Sequence, residues 1–194
     1  MNMKLRTDEN SVLSVYDLSD PVYRLRLDMS GLEVYGGFKT KIGNADTLNY
    51  LNLGINISGA IPVTRNPQIG ITLPMWLSTD FTRVRSTRQQ SETDQFRESS
   101  ASVGLGIGLF YKLSQNIRFQ AESVPQIGFT VTSLGADSGQ IMSLNNRLRL
   151  YFDQLTGRYG LLIGYDYSWR RYSGGEERFH YDMTSNNVSL GVSF

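Results

Sequence analysis

The sequence predicts an all-β protein, an antiparallel transmembrane β-barrel of eight strands, with ten as the alternative count. Three observations point there. Apolar and polar residues alternate strictly over strand-length segments, glycines recur at every second position on the face opposite the apolar one, and short connections alternate with longer ones.

The clearest segment is SASVGLGIGLFYKLSQNIRFQAESVPQIGFTVTSL, residues 100–134. Ala101, Val103, Leu105, Ile107, Leu109, Tyr111 and Leu113 share one face, against Ser100, Ser102, Gly104, Gly106, Gly108, Phe110 and Lys112. After Ser114-Gln115-Asn116 the alternation resumes. Ile117, Phe119, Ala121, Ile127, Phe129 and Val131 then oppose Arg118, Gln120, Glu122, Gln126, Gly128 and Thr130. Period two over this length is the pattern of a long antiparallel hairpin.

Composition narrows the reading. The 194 residues fit one domain, with 40% hydrophobic content and a mean hydropathy of -0.29. No run of about eighteen apolar residues exists, so no transmembrane helix is expected. Alternating strands keep mean hydropathy low in membrane barrels too. A net charge of +1 argues against a general nucleic-acid binder. Without cysteine there is no disulfide scaffold, thiolate metal site or cysteine nucleophile. The start, MNMKLRTD, has positive residues but no apolar core behind them, so it is not a secretory signal; an exported protein would here be a mature form with a new Met.

In chain order, residues 1–21 are read as an N-terminal periplasmic segment closed by Pro21. Val12, Ser14, Tyr16 and Leu18 fit a short strand, while Val12, Tyr16 and Ser19 fit a short helix. The barrel then occupies residues 22–194. In 22–41, Tyr23, Leu25, Leu27 and Met29 share a face, and the parity flips to Leu32, Val34, Gly36 and Phe38. A bulge at Ser30-Gly31 inside one long strand is favoured over a two-residue hairpin turn. The hairpin would set Asp28 opposite Glu33, a like-charge pair, and leave strands too short to span a bilayer.

The remaining strands are plainer. Leu51, Leu53, Ile55, Ile57 and Ile61 alternate with Asn52, Gly54, Asn56, Ser58 and Ala60, and Ile69, Ile71, Leu73, Met75, Leu77 and Phe81 with Gly70, Thr72, Trp76, Ser78 and Asp80. Met142, Leu144, Leu148, Leu150 and Phe152 oppose Ser143, Asn145, Arg147, Arg149 and Asp153. Tyr159, Leu161, Ile163, Tyr165, Tyr167 and Trp169 oppose Gly160, Gly164, Asp166, Ser168 and Arg170. The last strand carries Val188, Leu190, Val192 and Phe194, with a bulge expected near Ser185. Val63–Gln68, Ser114–Asn116 and Gln154–Gly157 are compact turns. Arg83–Glu98 and Ser173–Phe179 are long polar loops, and Gly43–Asp46 and Ser133–Gly139 are intermediate. Short turns at one end and long loops at the other fit an outer-membrane barrel, with both termini periplasmic.

Volume decides which face is outside. Eight strands with about five large apolar side chains each would bring about forty, more than an eight-stranded barrel interior holds. The glycine-rich face fits that interior better; a two-sheet soluble sandwich is the alternative. Aromatic residues also layer, with Tyr111, Phe119, Phe152, Tyr159 and Phe194 near the short turns. Phe81, Phe129, Tyr167 and Trp169 lie near the loops, as in the girdles of membrane barrels.

With these features the chain resembles a small outer-membrane β-barrel of the OmpA/OmpX type over residues 22–194. The C-terminal NVSLGVSF is similar to the terminal strand through which barrel-assembly machinery recognises such proteins, and the resemblance implies that Phe194 serves that contact. Val192 departs from the second aromatic common there, and no peptidoglycan-binding domain follows.

The inward face gathers charges of both signs: Glu33, Lys39, Asp80, Arg118, Glu122, Arg147, Arg149, Asp166 and Arg170. Buried charges need partners, so these are expected to form a paired network plugging the lumen. Toward the loops, Arg83, Arg85, Arg88 and Arg171 are candidates for lipopolysaccharide phosphate contacts, since guanidinium groups pair bidentately with phosphate. Arg97, Arg170 and Arg178 gather at the same end, balanced by Glu92, Asp94, Glu98, Glu176 and Glu177.

His180 is the only histidine and could in principle serve a lipid A-modifying barrel enzyme, a deacylase or acyltransferase. Such barrels carry a histidine–serine pair at the membrane boundary, and FHYDMTSNN places Thr184, Ser185 and Asn186 too far on for the deacylase pattern. No metal, cofactor or catalytic residue is expected. The expected protein is a monomeric, non-enzymatic barrel in the outer membrane of a Gram-negative bacterium. Its expected role is envelope integrity, surface interaction or membership of an outer-membrane complex; the enzyme and a soluble lipid-binding barrel are the alternatives. Its partners would be outer-membrane lipids, lipopolysaccharide and a protein of such a complex, with no nucleic acid.

Overall fold

The computed structural model describes residues 2–8, 11–17, 23–29, 31–39, 48–64, 66–86, 95–132, 138–157, 159–174 and 180–193. Among them every regular element is a strand: β1 (Asn2–Asp8), β2 (Ser11–Asp17), β3 (Tyr23–Met29), β4 (Leu32–Lys39), β5 (Leu48–Pro62), β6 (Ile69–Ser86), β7 (Gln95–Leu105), β8 (Ile107–Lys112), β9 (Ile117–Thr132), β10 (Ser138–Thr156), β11 (Tyr159–Gly174) and β12 (His180–Ser193). They form one sheet in the order β2-β1-β12-β11-β10-β9-β7-β6-β5-β4-β3, with β8 beside β6 and β9. Each paired neighbour is antiparallel.

The twelve segments exceed the eight expected. The N-terminal residues contribute β1 and β2, and residues 22–41 divide in two. β7 and β8 both pair β6 and β9, so they are one strand interrupted at Gly106. There Gly106 donates its amide to the carbonyl of Pro74, which has no N–H to return. β2 and β3 run in the same direction. Counted with each of these two pairs as one strand, the sheet has ten, the alternative count.

Two local expectations are corrected. Residues 22–41 are not one bulged strand: Met29 pairs Leu32, Leu27 pairs Val34 and Asp28 pairs Glu33, around a turn in which Gly31 has a φ of 80°. Glycine takes that left-handed conformation without a Cβ penalty. The like-charge opposition counted against the hairpin is offset by Arg26 of β3 itself and by Arg147, which arrives from β10 and which a local reading omits. The second correction is in β12, which pairs β11 without a register shift from Tyr181 to Ser193; no bulge lies at Ser185. The parity break in the sequence is a change of environment along one face. Asp182, Thr184 and Asn186 share a side with Val188, Leu190 and Val192 but lie closer to the loops.

Elsewhere the alternation is oriented as read. Val103, Leu105, Ile107 and Leu109 point away from the interior and are 54%, 57%, 66% and 40% exposed. On the other face Gly106 and Gly108 are buried, as are Asn52, Asn56, Ser78, Gln126, Ser143 and Arg149. The sheet is rolled around this polar face, because side chains from distant strands meet across it: β4 with β10, β6 with β11 and β7 with β12.

One glycine shows how tightly that face packs. Gly54 lies opposite Tyr35, whose ring covers it so closely that a Cβ would overlap it. Gly54→Val is expected to lower stability by about 1–3 kcal/mol, the usual cost of overpacking. The urea midpoint should fall, and adding Tyr35→Ala should make the second substitution cost less than it does alone.

Candidate functional site

The interior carries two ion-pair clusters and a separate hydrogen-bonded layer. The first is built on register. Arg147 of β10 sits directly opposite Glu122 of β9 and Asp166 of β11, which brings three charges abreast on adjacent strands. Asp166 accepts from Arg149 Nη2 at 2.7 Å and from Arg26 Nη2 at 3.0 Å, with Arg147 Nε at 3.6 Å. Glu33 lies 2.6 Å from Arg147 Nη2 and 3.0 Å from Arg26 Nε. Arg26 Nε and Glu33 Oε2 have no well-aligned hydrogen-bond partner, so these two contacts act through charge more than direction. The Arg147 guanidinium also lies over the Trp76 ring, 4.1 Å from its centroid.

Nearer the loops, Arg170 lies between Asp80, at 3.1 Å, and Glu98, at 3.8 Å. The Tyr35 hydroxyl donates to Asp80 and the Tyr181 hydroxyl to Glu98. Between the clusters Gln126 is the hub: it donates to Ser78 at 2.9 Å and accepts from Asn145 at 2.9 Å and Ser143 at 3.2 Å. Its reach to Ser78 passes Gly104, its register partner, where a side chain would stand in the way.

Toward the short turns the interior opens into a polar cavity of about 490 Å³, lined by Asp28, Glu33, Arg118, Glu122, Arg147 and Arg149 among others. On the loop side a second cavity holds about 70 Å³. Glu33 and Arg147 line both, so the first cluster is the partition between them.

Of the nine residues expected to form the lumen network, eight face this interior. Glu33, Asp80, Arg147, Arg149, Asp166 and Arg170 are brought into the two clusters. Arg118 stands apart, donating from Nη2 to Asp153 at 2.7 Å near the short turns. Glu122 is registered against Arg147 yet takes its hydrogen bond from Gln120, at 2.8 Å. The side chain of Lys39 lies outside the described residues.

Arg26 and Glu98 complete the clusters; Arg26 was not singled out from sequence, and Glu98 was placed among the charges of the loop rim. Both had a signal. Arg26 alternates with Leu25 and Leu27, and Glu98 keeps the parity of Ser100 and Ser102. Glu98 is thus corrected from a solvated rim charge to a buried one, because β7 begins at Gln95, inside the segment read as a loop.

Of the loop-end arginines, Arg83 and Arg171 lie on the outward side, with Arg171 Nε 2.9 Å from Asp182 and its guanidinium 5.5 Å from the Trp169 ring centroid. Arg85 is in β6 with its side chain outside the described residues, and Arg88 lies outside them altogether. His180 begins β12 opposite Arg6, and its side chain and Phe194 are likewise outside the described residues.

No protein-family model matches the chain, and neither a curated protein nor a solved structure is detectably similar to it.

Proposed function

We propose that the protein is a non-enzymatic barrel of the outer membrane. Its sheet spans the bilayer, its lumen is closed by the Glu33–Arg26–Asp166–Arg147 cluster, and its role is envelope integrity, surface interaction or membership of a membrane complex. The observation that carries this reading is the outward apolar belt. Residues such as Leu53, Ile55, Ile57, Leu105, Ile107, Ile127 and Leu190 stand exposed on successive strands, while the ion pairs and glycines lie within. In water such a belt has no favourable environment, since large contiguous apolar patches on soluble monomers are rare. A bilayer supplies one. A soluble lipid-binding barrel would need the opposite orientation.

The test is detergent dependence with heat-modifiable migration. The folded protein should stay monodisperse only in detergent or lipid, and its unheated form should migrate differently from the boiled form. Monodisperse behaviour in plain buffer would overturn the reading. Planar bilayers containing the protein should show no steady conductance, because the cluster fills the lumen.

At the outer rim, Arg83 and Arg171 sit beside Phe81 and Trp169 at the height where lipopolysaccharide phosphates would lie. Arg83→Ala with Arg171→Ala is expected to reduce lipopolysaccharide retention in native mass spectrometry relative to phosphatidylethanolamine. Equal retention by the double variant would remove this contact.

A further inference from the structure

The outward face of the wall is not uniform. Across β4 to β9 one row of directly opposed residues reads Leu32, Ile57, Leu77, Val103 and Ile127, all apolar. Across β9 to β12 another reads Ser123, Asn146, Tyr167 and Asn186, each opposite the next. All four lie close to the midpoints of their strands, so Tyr167 stands at mid-wall and not in the loop-side girdle. Successive strand residues point to opposite faces. Asn146 therefore shares the outward side with Leu144 and Leu148, while Asn145 and Arg147 face the interior. Tyr167 shares it with Tyr165 and Trp169, while Asp166 and Ser168 face inward. Ser123 and Asn186 are exposed, and Asn146 and Tyr167 are half-buried.

Among the described residues the side chains of Ser123, Asn146 and Tyr167 make no hydrogen bond. Asn186 makes one, accepting from the Tyr165 hydroxyl at 2.6 Å, which leaves its amide nitrogen without an acceptor. Halfway through a bilayer neither water nor headgroups reach such groups, and polar side chains left unpaired there are costly. Lipid tails offer them nothing; a protein surface does. The set carries no charge, and serine, asparagine and tyrosine each offer both a donor and an acceptor. The row is therefore complementary to a copy of itself, as a charged or donor-only set is not.

We propose that this row is a docking surface whose occupant is a second copy of the chain, inserted beside the first in the same direction. A two-fold axis along the membrane normal, passing between β10 and β11, keeps every residue at its own height. Asn146 of one copy then faces Tyr167 of the other, and the contact occurs twice, as in any isologous pair. Leu144 and Trp169 pack on the loop side of this contact, and Leu148 and Tyr165 on the turn side. Two convex walls meet over only a few strands, so Ser123 and Asn186 mark the flanks. The inference gives the barrel expected as a monomer a partner, and it names one form of the membrane complex proposed above.

The proposal rests on the membrane reading, which heat-modifiable migration tests on its own. Its separate test uses the absence of cysteine: Gln115→Cys, in an exposed short turn, takes a single fluorophore. Donor- and acceptor-labelled protein is folded together into liposomes, and energy transfer is followed against the protein-to-lipid ratio. The parent should show transfer above chance proximity, and Asn146→Leu with Tyr167→Phe should need about tenfold more protein per lipid to reach it. Thr79→Val, outward on β6 between Ile55 and Ala101, should leave transfer unchanged. Both row substitutions suit lipid, so the variant should keep the heat-modifiable form; if it does not, Asn146→Leu alone replaces it. Transfer at chance level in the parent would overturn the proposal, as would equal transfer in parent and row variant. Either result would leave the membrane reading standing if the heat-modifiable form persists.

Discussion

Asp166→Ala is expected to lower stability by about 3–5 kcal/mol, the usual cost of removing one partner from a buried ion pair. Asp166 is ion-paired with Arg149, at 2.7 Å, and it also anchors Arg26. Without it, Arg26 and Arg147 share Glu33, and Arg149 keeps a hydrogen bond to the Leu148 carbonyl. The loss should appear as a large drop in the urea midpoint of the unheated gel form. Adding Arg149→Met should restore part of it, because the remaining charge, more than the missing contact, carries the cost. A change below about 1 kcal/mol would mean that water reaches the cluster and screens it. The same variant tests the closed lumen: Asp166→Ala should admit small ions in planar bilayers where the parent does not.

Ile107→Arg is the second large effect. Ile107 is 66% exposed in the middle of the outward face of the β7–β8 strand. On a water-exposed surface this exchange would fall within about 0.5 kcal/mol of neutral. At the midplane of a bilayer it should cost about 2–4 kcal/mol. Refolding into liposomes of Ile107→Arg and Ile107→Ala, compared by urea titration, separates the two environments. Equal stability of the pair would sink the membrane assignment while leaving the fold intact.

The stretch 100–131 was legible because both its faces have strong and opposite characters. One is continuously apolar, the other glycine and polar, so a one-residue slip would invert every side chain. The same contrast made Arg147, Asp166 and Arg149 recognisable as interior charges. Residues 22–41 were misread for a definite reason. A hairpin there looked too short and set Asp28 against Glu33, but Arg147 and Arg26 approach Glu33 at 2.6 Å and 3.0 Å. Arg147 comes from a strand more than a hundred residues away. Glu98 was misplaced because a polar loop hides where a strand resumes.

Strand periodicity, the identity of the apolar face and most of the charges that pair inside, though not Arg26 or Glu98, were legible in the residues alone. Those follow from side-chain alternation, a property of each strand alone. The tertiary structure decided who pairs with whom: Arg147 with Glu33 and Asp166 more than with its neighbour Glu122, and Arg170 with both Asp80 and Glu98. It also decided that β2 and β3 run the same way, and that among the described residues Ser185–Ser193 is paired on one side only, to β11. Those outcomes depend on how the sheet curls and on relative strand direction, and no local pattern of residues carries that information.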